Sequence, residues 1–303
     1  SVFIEQNQTT NSFKTKQSWT ILQGIEQRIK KKIEEAGIPL KDWDVSINRG
    51  ILTGYNEAFI ISEEKRDELI TQDPKSAEII RPILRGRDIK RYGYDFADLW
   101  LINTHNGIAN KGIQGVDVKK FPAIKTHLDN YFPEIQKRYD KGDTPYNLRS
   151  CDYMDDFYKQ KIIYAETMRV HRNIESGRFP RFGYSKDEVF LDKTCFMITG
   201  QNLLYFLPIL NSKLMYFVIR KNIAVMDTGG FLMQKIYIEH LPIPPATSDL
   251  RKQVEELACQ IIESSKNNID TNNLENEIDA IIYDLFSFTQ EEIAYIENLK
   301  THF

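Results

Sequence analysis

Between positions 159 and 186 stand seven basic residues, Lys159, Lys161, Arg169, Arg172, Arg178, Arg181 and Lys186, against only Glu166 and Glu175. Arginine forks can grip guanine O6 and N7 or a phosphate. His171 and Asn173, set among them, can hydrogen-bond base edges. The stretch opens as a strand, runs into a polar loop and returns through Phe179, Phe182 and Tyr184, aromatics able to stiffen it. A loop or ribbon of this kind can enter a major groove about 12 Å wide. On charge alone it reads equally as a solvated basic loop.

Two further stretches could meet phosphates. Residues 81–91 alternate the apolar anchors Ile83, Leu84 and Ile89 with Arg85, Arg87, Lys90 and Arg91. Their alternative is internal pairing of Arg85 and Arg87 with Asp88 or Glu78. Residues 48–56 place Asn48, Gly50, Gly54 and Asn56 between strands, where backbone amides exposed at a turn can hold a phosphate oxygen. This turn lacks the Gly-Lys-Ser/Thr ending of a P-loop.

Catalytic constellations are weak. Asp143-Thr-Pro-Tyr146 is similar to the Asn/Asp-Pro-Pro-Tyr/Phe motif of adenine-N6 methyltransferases. Its second position is Thr, however, and no Gly-rich cofactor loop follows a strand upstream. Asp88-Ile-Lys90 and Asp117-Val-Lys119 each match half of a metal-dependent nuclease motif without a Pro-Asp partner. There is no Gly-x-Ser-x-Gly elbow. The five histidines are unpaired at i,i+4, and Cys151, Cys195 and Cys259 are scattered without CxxC. The cysteines read as reduced, buried thiols, and a zinc site is not expected.

The elements around these residues are mixed. Ile21, Leu22, Ile25, Ile29, Ile33 and Ala36 predict an amphipathic connector helix over 18–37, capped by Ser18 and closed by Gly37. Short β-rich runs follow at 45–51, 59–61, 99–103, 161–164 and 189–198. One helix is predicted over 118–139, with Pro122 and Pro133 near its ends, and another over 203–221. Strands and helices do not alternate regularly, so the expected class is an irregular α+β domain. The rigid run Leu241-Pro-Ile-Pro-Pro245 marks a boundary. Beyond it lie amphipathic helices, one capped by Ser248 and another opened by a Thr289/Glu292 capping box. The expected divisions are 1–40, 41–248 and 249–303.

Charge follows these divisions. The 303 residues carry a net −3, which argues against a polyanion partner if taken whole. Residues 249–303 hold 4 basic and 12 acidic residues, a net −8, which leaves the rest at +5. The basic centre is thus concealed by an acidic tail. The longest apolar run, 203–210, is far shorter than the ~20 residues of a membrane span. The opening SVFIEQNQTT shows no signal peptide and no initiator Met, as in a trimmed fragment.

Several blocks in order, ILTGYNEAFIIS, SAEIIRPILRGRDIKRY, GDTPYNLRSCDY, QKIIYAE and DKTCFMITG through ILNSKLMYFVIR to LPIPP, resemble the TaqI-like specificity domain. That domain is the target-recognition part of type IIG restriction–modification enzymes and related adenine methyltransferases. The tail IDAIIYDLFSFTQEEIAYIE resembles their helical end, so the likeness covers residues 19–300. It implies a cytoplasmic, non-catalytic reader of double-stranded DNA. Methyltransferase and nuclease modules on the parent chain would use S-adenosylmethionine and Mg2+. It also explains Asp143-Thr-Pro-Tyr146 as a non-catalytic sequence. On this reading Arg169, His171, Arg172, Asn173, Arg178, Arg181 and Tyr184 read bases. Asn48, Arg49, Thr53, Asn56, Arg85, Arg87, Lys90, Arg149, Lys186 and Lys193 hold the DNA backbone. A stand-alone methyltransferase or nuclease, or half of a type I specificity subunit, is the alternative.

Overall fold

The structure, a computed structural model, describes residues 24–169, 179–226 and 229–299. Helix α1 (Gly24–Ala36) buries Ile29 and Ile33, four residues apart and therefore on one face. It ends where the Gly37 amide donates to the Ile33 carbonyl at 2.8 Å. The expected start at Ser18 lies outside the described residues. Strands β1 (Ile38–Pro39) and β2 (Val45–Arg49), helix α2 (Asn56–Phe59), strand β3 (Ile60–Ser62) and helix α3 (Glu63–Gln72) follow. Ser62 caps α3 by accepting from the Lys65 amide. Strands β4 (Ile80–Leu84) and β5 (Leu99–Ile102) precede helices α4 (Pro122–Asp129) and α5 (Phe132–Lys137).

The single helix expected over 118–139 is therefore two. Pro122 and Pro133 each stand in a first turn, where a missing N–H has no intrahelical partner to lose. Strands β6 (Lys161–Ala165), β7 (Thr167–Arg169), β8 (Gly183–Ser185), β9 (Phe190–Leu191) and β10 (Cys195–Gly200) come next. The run at 189–198 is broken because the Asp192 carboxylate accepts from the Thr194 amide at 2.9 Å, making a turn. Helices α6 (Leu203–Leu210) and α7 (Lys213–Asn222) meet at 71°, in place of one expected helix. Ser212 starts α7 afresh by accepting from the Met215 amide. Among the described residues no single helix is long and apolar enough to cross a membrane.

The chain closes through β11 (Val225–Met226), β12 (Gly230–Leu232), helix α8 (Lys235–Ile238), β13 (Pro242–Ile243) and helices α9 (Ser248–Lys266), α10 (Asn272–Leu285) and α11 (Gln290–Glu297). The cap of α9 is Thr247, one residue before the expected Ser248. The capping box at Thr289 and Glu292 forms in both directions.

The sheets have strand orders β3-β5-β4-β9, β2-β10-β6-β8, β11-β12-β7 and β1-β13. Among these pairs only β4 with β9 is parallel, so the fold is an irregular α+β. The β2-β10-β6-β8 sheet is apolar on both faces, because successive strand residues point to opposite sides. Ile162, Tyr164, Phe196 and Ile198 enter one hydrophobic cluster; Ile163, Cys195 and Met197 enter the other. The first cluster also takes Ile29 and Ile33 of α1 and Val254, Ile278 and Ile296 of the C-terminal helices. Connector and tail are thus packed into one core with part of the body. The proline run is stitched to the N-terminal segment, Ile38 facing Ile243 in register. Lys32 completes the join by donating to the buried Glu292 at 2.7 Å.

Lys161 heads β6 with no exposed surface. Its Nζ donates to the carbonyls of Phe157, Lys159 and Asp187 at 2.8–3.0 Å. Burial pushes its pKa down to about 8, against about 10.4 in an unfolded chain. Between those values the unfolded chain binds more protons, so stability rises with pH. Comparing wild type with Lys161→Met by urea unfolding at pH 7.5 and 9.5 should show this rise, about 2 kcal/mol, in wild type only. Equal slopes in the two proteins would contradict it.

Candidate nucleic-acid interface

The described part of the basic stretch ends with β7 at Arg169 and resumes at Phe179. Of its expected base readers, His171, Arg172, Asn173 and Arg178 lie outside the described residues. Arg169 ends β7 with an exposed side chain that makes no ion pair among the described residues. Arg181 is turned back instead, its Nη2 donating to the Arg169 carbonyl at 2.6 Å. Burial, aided by nearby Arg91, holds its pKa below the usual arginine value. Tyr184 is 6% exposed and donates to Gln160 Oε1 at 2.9 Å. It is a core residue in this structure, because it lies on the edge strand β8 with its side chain in the hydrophobic cluster and not in the loop.

The returning strand is held by Asn211, which the sequence did not single out, and by Arg91. The Phe182 amide donates to Asn211 Oδ1, and Asn211 Nδ2 donates to the Phe182 carbonyl, both at 2.9 Å. Arg91 Nη1 donates to the carbonyls of Pro180 and Asn211 at 2.7 Å, while Nη2 pairs with Glu275 of α10. Arg91 read as a surface cation, yet it is a buried clamp between the arm's foot, the α6–α7 corner and the acidic tail.

Several expected phosphate-binding groups are likewise engaged inside the protein. Arg85 forks onto Asp88 through Nε and Nη2 at 3.0 and 2.9 Å, which is the internal pairing left open by the sequence. Arg49 donates to the Lys193 carbonyl at 2.7 Å and to Glu166 at 2.6 Å. Asn48 donates to Asp156 at 2.8 Å. The turn at 48–56 does not present a free amide cradle. The amides of Gly50 and Ile51 donate to the carbonyls of Cys195 and Leu191, and buried Thr53 donates to Asn56 at 2.5 Å. Arg149 is exposed but pairs with Asp140 at 3.1 Å.

What remains is a smaller set. The Gly86 amide donates to Thr194 Oγ1 at 3.0 Å, which draws the turn at 86–88 against the turn at 192–194. Exposed Arg87 and Lys193 thereby stand on adjoining turns, and neither makes an ion pair among the described residues. The same turns adjoin Glu166, whose amide donates to the Thr194 carbonyl, and so the start of β7, which ends at Arg169. Lys186 is exposed in a groove of about 910 Å³. There it is joined by Lys90, which pairs with Asp95 at 3.2 Å, and by Lys266 of α9.

Among the described residues the candidate catalytic groups of the sequence are not brought together. Asp143-Thr-Pro-Tyr146 is a hydrogen-bonded turn: Thr144 donates to Asn147 at 2.5 Å, Tyr146 to Asp129 at 2.6 Å, and the Pro145 carbonyl accepts from Arg138. Asp88 is engaged by Arg85, and Asp117 accepts from the Lys119 amide. Among the described residues no three His, Cys, Asp or Glu side chains are placed to hold a metal. Cys151 and Cys195 are buried; Cys259, contrary to expectation, is exposed on α9.

Arg138 is another residue that sequence reasoning missed. It is 6% exposed, lies 4.3 Å from the Phe59 ring centre and has no carboxylate partner among the described residues. Its guanidinium donates instead to the carbonyls of Thr53, Ile135, Asp140, Pro145 and Asn147. Nothing in its neighbours' types distinguishes it from a surface arginine.

Comparison with known proteins places this arrangement. The chain is 24% identical over 241 residues to the type II methyltransferase M.MjaIV of Methanocaldococcus jannaschii, covering 77% of this chain and 76% of that protein. Its fold is similar to that of the type IIL restriction–modification enzyme MmeI, solved in complex with DNA. The TM-score is 0.62 at 14% identity, over 85% of this chain and 35% of MmeI. The type IIG restriction endonuclease BpuSI aligns at a TM-score of 0.47 and 14% identity, over 86% of this chain and 32% of that one. The chain thus spans about a third of the length of these two solved enzymes. Residues 81–243, more than half the chain and the part that holds the arm, its clamp and the Arg87–Lys193 turns, match the TaqI-like C-terminal specificity domain, and the chain belongs to that family.

Proposed function

We propose that this chain reads a short sequence in duplex DNA as the specificity part of a restriction–modification enzyme. The observation that carries the reading is a sorting of cations. Arg85, Arg91, Arg138 and Arg49 are bound within the protein, while Arg87 and Lys193 stand exposed on adjoining turns near the start of β7 and Arg169 stands exposed at its end. Phosphate contacts set register and base contacts set sequence; the adjoining turns suit the first role and the arm the second. Residues 41–248 carry recognition, and α1 with residues 249–303 serve as scaffold toward catalytic modules of a parent protein. S-adenosylmethionine and Mg2+ belong to those modules, since this chain lacks a Gly-rich cofactor loop and Asp88 and Asp117 are engaged locally. A cytoplasmic location goes with this role.

Selection from random duplex DNA, with affinity followed against salt, tests the reading. The intact chain should enrich one site. Arg87→Gln and Lys193→Gln should each lower the salt slope by about 1 while leaving the preferred sequence unchanged. A steep slope without enrichment would reduce the domain to non-specific binding. A second reading, a methyltransferase acting alone, is favoured by the alignment over 76% of M.MjaIV. Calorimetric binding of S-adenosylmethionine to the isolated chain would support it.

A further inference from the structure

The sheet β11-β12-β7 buries Met168 and Phe231 on one face and exposes Met226 and Arg169 on the other. Facing inward, Met168 and Phe231 are 1% and 0% exposed and stand opposite each other in register. The next row runs Met226, Gly230, Arg169 across the three strands. Cross-strand neighbours share a face, and residues two apart along a strand share it too, so Thr167 joins Met226 and Arg169 on the outward side. Thr167 Oγ1 lies 3.9 Å from Met226 Sδ, which makes the patch continuous. Both residues of β11 are exposed, Val225 at 46% and Met226 at 37%, so this end of the ribbon overhangs the core.

Gly230 fits this arrangement. A Cβ there would lie 3.2 Å from Arg169 Cγ and 3.4 Å from Thr167 Cγ2. The aliphatic stem of Arg169 therefore rests on a strand with no side chain of its own. A thioether, a hydroxyl and a guanidinium stand side by side on a twisted ribbon. That combination suits the major groove, where guanine offers two acceptors to a fork and thymine offers a methyl group. The patch includes Arg169, the last described residue before position 179.

We propose that this outward face is a second base-reading surface, Met226 packing on a thymine 5-methyl group while Arg169 forks onto a neighbouring guanine. The proposal rests on the DNA-reading function proposed above and adds to it a named residue and a named base feature. The test uses the full chain and the duplex enriched by selection, with each thymine replaced singly by uracil, which lacks only the methyl. One replacement should weaken wild-type binding on the order of fourfold, the worth of one buried methyl. Met226→Ala should bind the thymine and uracil duplexes alike. Gly230→Ala, which presses on the Arg169 stem, should lose preference for the adjacent guanine and keep the methyl effect. Wild-type tolerance of every uracil, an enriched site without thymine, or an unchanged methyl effect in Met226→Ala would each overturn the proposal while leaving DNA reading intact. Failure to enrich any site would overturn the function as well.

Discussion

Replacing Arg138 with Met is expected to destabilise the chain by about 3–5 kcal/mol, as large as any single change here. Five carbonyl oxygens, from Thr53, Ile135, Asp140, Pro145 and Asn147, converge on that guanidinium. Leaving a buried acceptor without a donor costs roughly 1–3 kcal/mol, and removal of one arginine strands several at once. The loss also opens space beside Phe59, over which the guanidinium lies. Arg138→Lys should recover only part, since an ammonium has three donors on a point and cannot reproduce the planar fork. Urea unfolding of the three proteins checks this. A loss below about 1 kcal/mol for Arg138→Met would mean that water replaces the guanidinium and that the turns at 48–56 and 143–146 hold without it.

Glu275→Leu comes second, with an expected loss of about 3–5 kcal/mol, because it leaves the Arg91 charge buried and unpaired. Arg91 is 14% exposed and Glu275 10% at their side chains. The double variant Arg91→Met/Glu275→Leu should be much less affected than the sum of its parts, since removing both charges removes the desolvation along with the pairing. The same clamp gives a local readout. Arg91 and Asn211 hold the carbonyls of Pro180 and Phe182 at the foot of the arm, so amide exchange at residues 179–183 should accelerate in Glu275→Leu. Exchange there no faster than in wild type would disconnect tail from arm, and a double variant as unstable as the summed singles would show that Arg91 and Glu275 act independently.

These two residues show how far the sequence reaches. Local chemistry was legible: the Thr289–Glu292 capping box, the closure of α1 at Gly37, the β-rich runs of the central sheet and the α+β class all depend on groups within a few positions of one another. So was the ordered set of blocks that marks the family. The division of one apolar strand between two cores was not, because β6 is nearly continuous in hydrophobicity and its alternation appears only once both neighbours are in place. The break at Ser212 was hidden for a similar reason, a helical pattern on either side of a residue whose capping hydroxyl needed three dimensions to declare itself.

Charge is the clearest case. Partition of the net −3 into a body of +5 and a tail of −8 follows from the sequence alone, and it points to a polyanion near residues 159–186. Only the tertiary structure decided which arginines are available for one. Arg85 and Arg87 stand two apart with the same side chain, yet one is locked onto Asp88 and the other is exposed. A guanidinium's partner is set by what lies beyond its fork in space, and Glu275 lies 184 positions from Arg91; no spacing rule spans that distance.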